Sequence, residues 1–226
     1  MPSSFFIIAG PQCAGKTTTK SYLYSRYMAM ARSQTPGATP EHRNLFLLPE
    51  MRQLVMHERG IHSAIFIDID TERKIVERDL ARMDDIIEKA DDRIYLDETN
   101  IYTLAHARRR GLHVNDLVSE YGHRLQTLNA AILFLDVPPD ISWQRRKVRY
   151  QDRVNGFPQT EAAKVMEMYR DYLVTLHQEL MNVSNMLKIE LRRIDATGSV
   201  EATLSAAAIE FEQLTGARSV ALVRRF

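Results

Sequence analysis

The segment Gly10-Pro11-Gln12-Cys13-Ala14-Gly15-Lys16-Thr17 constrains this chain more than any other. It fits the pattern G-x-x-x-x-G-K-[ST] in full, and its flanks are those the pattern requires. Before it, Phe5-Phe6-Ile7-Ile8-Ala9 is an unbroken aromatic and β-branched run, the mark of a strand buried on both faces. After it, residues 16–32 contain neither Pro nor Gly and suit a helix. A strand, a glycine-bounded turn and a helix N-terminus in that order curl backbone N–H groups around a phosphate and add the helix dipole to them. Gly10, Gln12, Cys13, Ala14, Gly15, Lys16, Thr17 and Thr18 are therefore expected to hold ATP. Lys16 would neutralise the β- and γ-phosphates, and Thr17 would offer its hydroxyl to Mg²⁺. Cys13 stands at a variable position of the loop, where a redox role and the plainer role of a small tolerated residue are both open.

The rest of the pattern alternates strands and helices. Asn44-Leu45-Phe46-Leu47-Leu48 reads as a second buried strand closed by Pro49-Glu50, after a loop over 33–43 that contains Pro36, Gly37 and Pro40. Helices are expected over 51–58 and 71–90, the latter with Ile75, Val76, Leu80, Met83, Ile86 and Ile87 on one face. The stretch around Ile65-Phe66-Ile67 fits neither pattern. A third strand, Arg93-Ile94-Tyr95-Leu96-Asp97, ends in an acid. Then come a helix over 115–128, a strand from Ala130 to Asp136, a helix opened by Pro138-Pro139, a long helix over 161–187, a strand over 188–195 and a helix over 200–214. This order predicts an α/β fold, a five-stranded parallel sheet with helices on both faces, of the P-loop nucleoside triphosphate hydrolase type. No linker rich in Pro, Gly or Ser divides it, so residues 1–226 are expected to form one domain, with a lid segment at about 141–160.

Charge and cysteine content remove several function classes. Thirty Lys plus Arg balance twenty-nine Asp plus Glu, so no global field favours nucleic acid or an anionic membrane. An enzyme acting on nucleic-acid ends would want a basic groove with interleaved aromatics, and none is visible. One cysteine forms neither an internal disulfide nor a thiolate zinc site, which suits a reducing, cytoplasmic setting. No apolar stretch approaches the ~20 residues of a membrane span, and the first ten residues lack the basic start of a signal peptide. The histidines show no zinc-protease spacing.

A phosphate loop alone serves switch proteins, motor ATPases and small-molecule kinases, and the remaining charged residues discriminate between them. Glu50 and Asp97 fall at strand ends, on the rim where such sheets bind ligands. There Glu50 could orient or deprotonate an acceptor hydroxyl, and Asp97 could hold Mg²⁺ through water. The helix after strand four carries Arg145, Arg146, Lys147, Arg149 and Arg153, able to close over a polyphosphate. Each has a plainer alternative: a helix cap for Glu50, a turn acid for Asp97, a solvated face for the basic cluster. No guanine-selecting Asn-Lys-x-Asp follows strand four, which disfavours a GTPase.

Val137-Pro138-Pro139-Asp140, the arginines from Arg145 to Arg149 and Gln151-Asp152-Arg153 together resemble the lid region of the thymidylate kinase and deoxynucleoside kinase family. Arg192-Arg193-Ile194-Asp195-Ala196-Thr197-Gly198-Ser199-Val200-Glu201 is similar to that family's last strand and helix. Leu48-Pro49-Glu50-Met51-Arg52 resembles the acidic segment facing the acceptor hydroxyl in deoxynucleoside kinases and in ribosylnicotinamide-kinase-like AAA ATPases. The resemblance implies Mg²⁺-dependent transfer of the ATP γ-phosphoryl group to a nucleoside-like or nucleotide-like small molecule, with catalytic roles for Lys16, Glu50, Asp97 and Arg149. It places lid contacts to phosphate on Arg145, Arg149 and Arg153, and leaves Arg146 and Lys147 solvated. A homodimer is compatible with it.

In one respect the chain departs from the family, which has Asp-Arg or Glu-Arg after the third strand where this chain has Asp97-Glu98-Thr99-Asn100. An acceptor already carrying phosphate would meet Glu98 there, which disfavours it. Arg108-Arg109-Arg110 lies close enough in sequence to offer a substitute. The rival reading from another class is a regulatory nucleotide-binding ATPase without an acceptor.

Overall fold

Alternate side chains of the apolar run Phe5–Ala9 go to opposite faces of a sheet, and each face meets its own helices. The structure, a computed structural model, describes residues 4–32, 44–62, 67–89, 92–112 and 114–216, so the loop expected over 33–43 lies outside the described residues. In chain order the elements are β1 (Phe5–Ala9), α1 (Lys16–Arg32), β2 (Asn44–Leu47), α2 (Met51–Glu58), α3 (Ile69–Lys89), β3 (Arg93–Asp97), α4 (Asn100–Arg109), α5 (Val114–Thr127), β4 (Ala130–Asp136), α6 (Pro139–Arg153), α7 (Gln159–Met186), β5 (Glu190–Asp195) and α8 (Val200–Thr215). The strands form one parallel sheet in the order β2-β3-β1-β4-β5.

On one face Phe5, Ile7, Ile132 and Phe134 pack against α3, α4, α5 and α7, through Met83, Leu104, Tyr121 and Leu176 among others. On the other, Phe6, Ile8, Leu96 and Leu133 pack against α1 and α8, with the Phe6 and Phe211 rings edge to face at 4.7 Å. Both faces of β1 are therefore dry, and each of Phe5 to Ile8 contributes about 1.5–3 kcal/mol by leaving water. β1 is central, flanked by β3 and β4, so the loops after β1 and β3 leave the sheet on either side of a crevice at its C-terminal rim.

Two expectations change. β2 is an edge strand with β3 as its one neighbour, so only Leu45 is buried, while Phe46 and Leu47 face outward and the Arg93 guanidinium covers the Phe46 ring at 4.8 Å. Between β3 and α5 lies a helix with no periodic signal, α4, whose residues Asn100–Ala107 are all buried. A helix enclosed on every side has no polar stripe to reveal it. Ile67, unplaced from sequence, is buried with Val55 and Ile75 and pins α2 to α3. Among the described residues no helix is long and apolar enough to cross a membrane.

Candidate active site

The loop after β1 is shaped by its two glycines. Gly10 has φ +145°, and a Cβ there would stand 2.6 Å from the Leu135 carbonyl oxygen, so no other residue fits. Gly15 (φ +91°) and Cys13 (φ +60°) also have positive φ, the kind of backbone alternation that forms anion-binding concavities of N–H groups. Ala14 is buried beneath the loop in the core. Lys16 arches over it, its Nζ donating to the carbonyl oxygens of Gly10 (3.1 Å) and Pro11 (2.9 Å). Burial pulls the Lys16 pKa down, opposed by the charges of Glu98 and Glu50. A triphosphate in the loop would favour the charged ammonium.

The acids at the rim divide their work. Thr17 Oγ1 donates to Glu98 Oε2 at 2.9 Å, and Lys20 Nζ lies 2.7 Å from Glu98 Oε1 while also donating to the Leu48 carbonyl oxygen at 3.2 Å. Glu98 thus faces the loop hydroxyl, and it lines the cleft. Asp97, expected in that place, does not line the cleft. Its carboxylate is fully buried, accepts from the backbone N–H groups of Thr99 and Asn100 at 3.0 Å each, and pairs with Arg82 at 3.2 Å. It caps the start of α4, because a carboxylate just ahead of a helix satisfies the N–H groups that the helix leaves unpaired. The carboxylate beside the Thr17 hydroxyl is therefore that of Glu98, where Asp97 was expected. Among the described residues no cluster of three His, Cys, Asp or Glu side chains could hold a metal. A hydroxyl plus one carboxylate, completed by phosphate oxygens and water, is nevertheless a donor set that suits Mg²⁺.

Glu50 stands at the N-cap position of α2, yet its side chain makes no capping hydrogen bond and turns into the cleft. Burial raises its pKa, with Glu98 adding to the effect and Lys16 opposing it. Two residues on, Arg52 is almost wholly buried and forms a two-pronged ion pair with Glu72 of α3, fixing the helix that presents Glu50.

The cleft between these elements has a volume of about 910 Å³, near the upper end of the ~300–1,000 Å³ of small-molecule sites. Of the loop residues Gln12, Cys13, Gly15, Lys16, Thr17 and Thr18 line it. From α6 it receives Arg146, Arg149 and Tyr150, where Arg145 and Arg149 were the expected pair. Arg146, expected to be solvated, lies with a guanidinium nitrogen 3.6 Å from Cys13 Sγ and stacks over Tyr150. Arg145 is turned to the carbonyl oxygens of Cys13 (3.3 Å), Ala196 (2.9 Å) and Thr197 (3.1 Å), tying α6 to the turn after β5. Arg149 has no hydrogen-bond or ion-pair partner among the described residues. Lys147 is exposed, and the Arg153 side chain lies outside the described residues. The inward face is set by Tyr150, which is buried and stacks on Tyr169 of α7 at 3.9 Å, and it carries Arg146 and Arg149 with it. An aromatic four residues beyond Arg146 was the available sequence signal.

Sequence patterning did not reveal the far wall, formed by Gln53, Met56 and His57 of α2 with Tyr102, Tyr169 and Tyr172. Arg108 to Arg110 do not line the cleft: Arg108 pairs with Glu179 at 2.6 Å and Arg109 lies over the Tyr172 ring.

No family model matches the chain, and no curated protein matches it in sequence. Among solved structures it is similar to the YorR protein of Bacillus subtilis in complex with phosphorylated GDP, at a TM-score of 0.52 and 14% identity over 95% of this chain and 99% of that one. The chain has the five-stranded parallel α/β fold of the P-loop nucleoside triphosphate hydrolases. Shikimate kinase from Acinetobacter baumannii, in complex with shikimate, follows at 0.49 and 15% identity over 95% and 94%. The likeness to YorR is one of fold alone, and it does not show membership of the thymidylate kinase and deoxynucleoside kinase family.

Proposed function

We propose that this chain is a Mg²⁺-dependent kinase that transfers the γ-phosphoryl group of ATP to the hydroxyl of an uncharged, nucleoside-like small molecule. The observation that supports this most is Glu50: a cleft carboxylate with no capping bond, facing the same space as Lys16 and Glu98. A nucleotide switch needs no acid there.

In this reading the loop amides and Lys16 hold the triphosphate. Thr17 and Glu98 would hold Mg²⁺, which when bound offsets charge on the β- and γ-phosphates. Glu50 accepts the proton of the acceptor hydroxyl as its oxygen bonds to the γ-phosphorus, the bond to the β-phosphate oxygen breaks, and ADP leaves. Arg146 and Arg149 stabilise the charge that spreads over the transferred group and help exclude water. Arg146→Ala and Arg149→Ala should each lower turnover about tenfold with little change in KM for ATP, the pattern of contacts made chiefly in the transition state. Steady-state kinetics check this, and two silent substitutions would return α6 to an ordinary charged helix.

Charge balance favours a neutral acceptor. Among the described residues, the charged groups of the cleft and their buried partners are five cations (Lys16, Lys20, Arg52, Arg146, Arg149) and three carboxylates (Glu50, Glu72, Glu98). That excess suits a magnesium-bound triphosphate and leaves no unpaired cation for a second phosphate. The tyrosines and Met56 on the far wall suit a planar ring. Glu50 tests the reading. Because the base must be ionised and its pKa is raised, activity should fall with decreasing pH at values above the ordinary glutamate range. Glu50→Gln should remove that acidic limb and most acceptor-stimulated turnover while leaving Mg-ATP affinity intact. An unchanged pH profile in Glu50→Gln would remove Glu50 as the base.

A further inference from the structure

The side chain at the first variable position after Pro11 does more than the loop requires. Gln12 Nε2 donates to the hydroxyls of Tyr102 and Tyr172, both at 3.1 Å, and its Oε1 accepts from the Tyr150 hydroxyl at 2.5 Å. The two tyrosine hydroxyls lie 3.2 Å apart, and that of Tyr172 meets His106 Nε2 at 3.0 Å. One amide thus joins the phosphate loop to α4, α6 and α7, using both donors and the acceptor of its side chain. The same stretch of loop meets α6 again through Ser142, whose hydroxyl donates to the Gln12 carbonyl oxygen, and through Arg145 and Arg146 at Cys13. Ser142, Arg146 and Tyr150 are four residues apart and form one seam. Phosphate chemistry does not demand a glutamine at this position, since the loop amides and Lys16 supply the donors.

We propose that Gln12 is a positioning residue that fixes the attitude of α6 against the phosphate loop, and through it the delivery of Arg146 and Arg149 to bound nucleotide. The second half of this statement rests on the nucleotide-binding reading above; the first half does not. Removing the amide leaves three tyrosine hydroxyls without their common partner and frees α6 to rock about its stacked Tyr150–Tyr169 contact.

Trp143, the single tryptophan, sits on α6 with its ring 5.9 Å from that of Tyr150 and reports on this helix alone. The test is acrylamide quenching of Trp143 in full-length wild type, Gln12→Ala and Tyr150→Phe, without ligand and with saturating Mg-ADP, alongside Mg-ADP titration calorimetry and thermal melting. Without ligand, both variants should raise the quenching constant at least about twofold, and the double variant should add little to either single one, since all three break the same bond. With Mg-ADP, wild-type Trp143 should become more shielded, and Gln12→Ala, held at a Mg-ADP concentration that its own titration shows to be saturating, should lose most of that shielding. A general structural role would lower the melting temperature without this selective loss. Wild-type quenching in both folded variants, free and Mg-ADP-bound, overturns the proposal. If Gln12→Ala does not fold, Tyr150→Phe, which removes one oxygen, decides alone. Failure of the wild type to bind Mg-ADP would count against the nucleotide reading, while the ligand-free comparison still decides whether Gln12 holds α6.

Discussion

Lys16→Ala should lower phosphoryl transfer by about a hundredfold or more while the protein stays folded. Among the described residues the ammonium hydrogen-bonds to the carbonyl oxygens of its own loop and lies over the Tyr102 ring at 5.1 Å, so its loss leaves the two packed faces of the sheet intact. What disappears is a charge-assisted clamp on phosphate where negative charge develops, an effect of ~3 kcal/mol. A thermal melt close to wild type, together with loss of turnover in a coupled ADP-release assay, is the expected pair of results. Unaltered turnover in the folded variant would contradict the role of the loop.

The second large effect separates two adjacent acids. Asp97→Ala removes the cap of α4 and one partner of the buried Arg82, which retains Asp79 at 2.6 Å, and should destabilise the fold by about 3 kcal/mol. Glu98→Gln keeps a hydrogen-bonding side chain beside Thr17 and Lys20, so it should cost less stability than Asp97→Ala despite the weakened Lys20 ion pair, and it should raise the Mg²⁺ concentration needed for half-maximal turnover, because it removes the carboxylate charge facing Thr17. Denaturant unfolding and Mg²⁺ titration of both variants check this. The reverse outcome, a Mg²⁺ phenotype at Asp97 and a stability phenotype at Glu98, would exchange their roles.

These two acids also mark the limit of what was legible in the sequence. β1, β3 and β4 could be read directly because strands buried on both faces are unbroken apolar runs, and the phosphate loop because its backbone tolerates few residues. A strand end followed by two consecutive acids does not say which one turns to the ligand. The clue was that an Asp side chain commonly accepts from backbone N–H groups two and three residues on, as Asp97 does from Thr99 and Asn100, but α4 itself was invisible. For α6 the spacing of the arginines gave the choice of faces, and packing made it: the stack of Tyr150 on Tyr169 turns Arg146 and Arg149 inward and leaves Arg145 to the turn after β5. The far wall of the cleft comes from α2, α4 and α7, which are distant in sequence and meet only through the β2-β3-β1 order of the sheet.

The central reading stands on an acceptor. The most direct measurement is ADP formation from Mg-ATP, with Mg-GTP in parallel, against a panel of nucleosides, their monophosphates and other hydroxylated metabolites, with the products weighed by mass spectrometry. The account expects one uncharged hydroxyl compound to stimulate ADP release and to appear phosphorylated in equal amount, its monophosphate being a poor acceptor. Slow hydrolysis that no compound stimulates would contradict it and make the chain a nucleotide-binding ATPase instead.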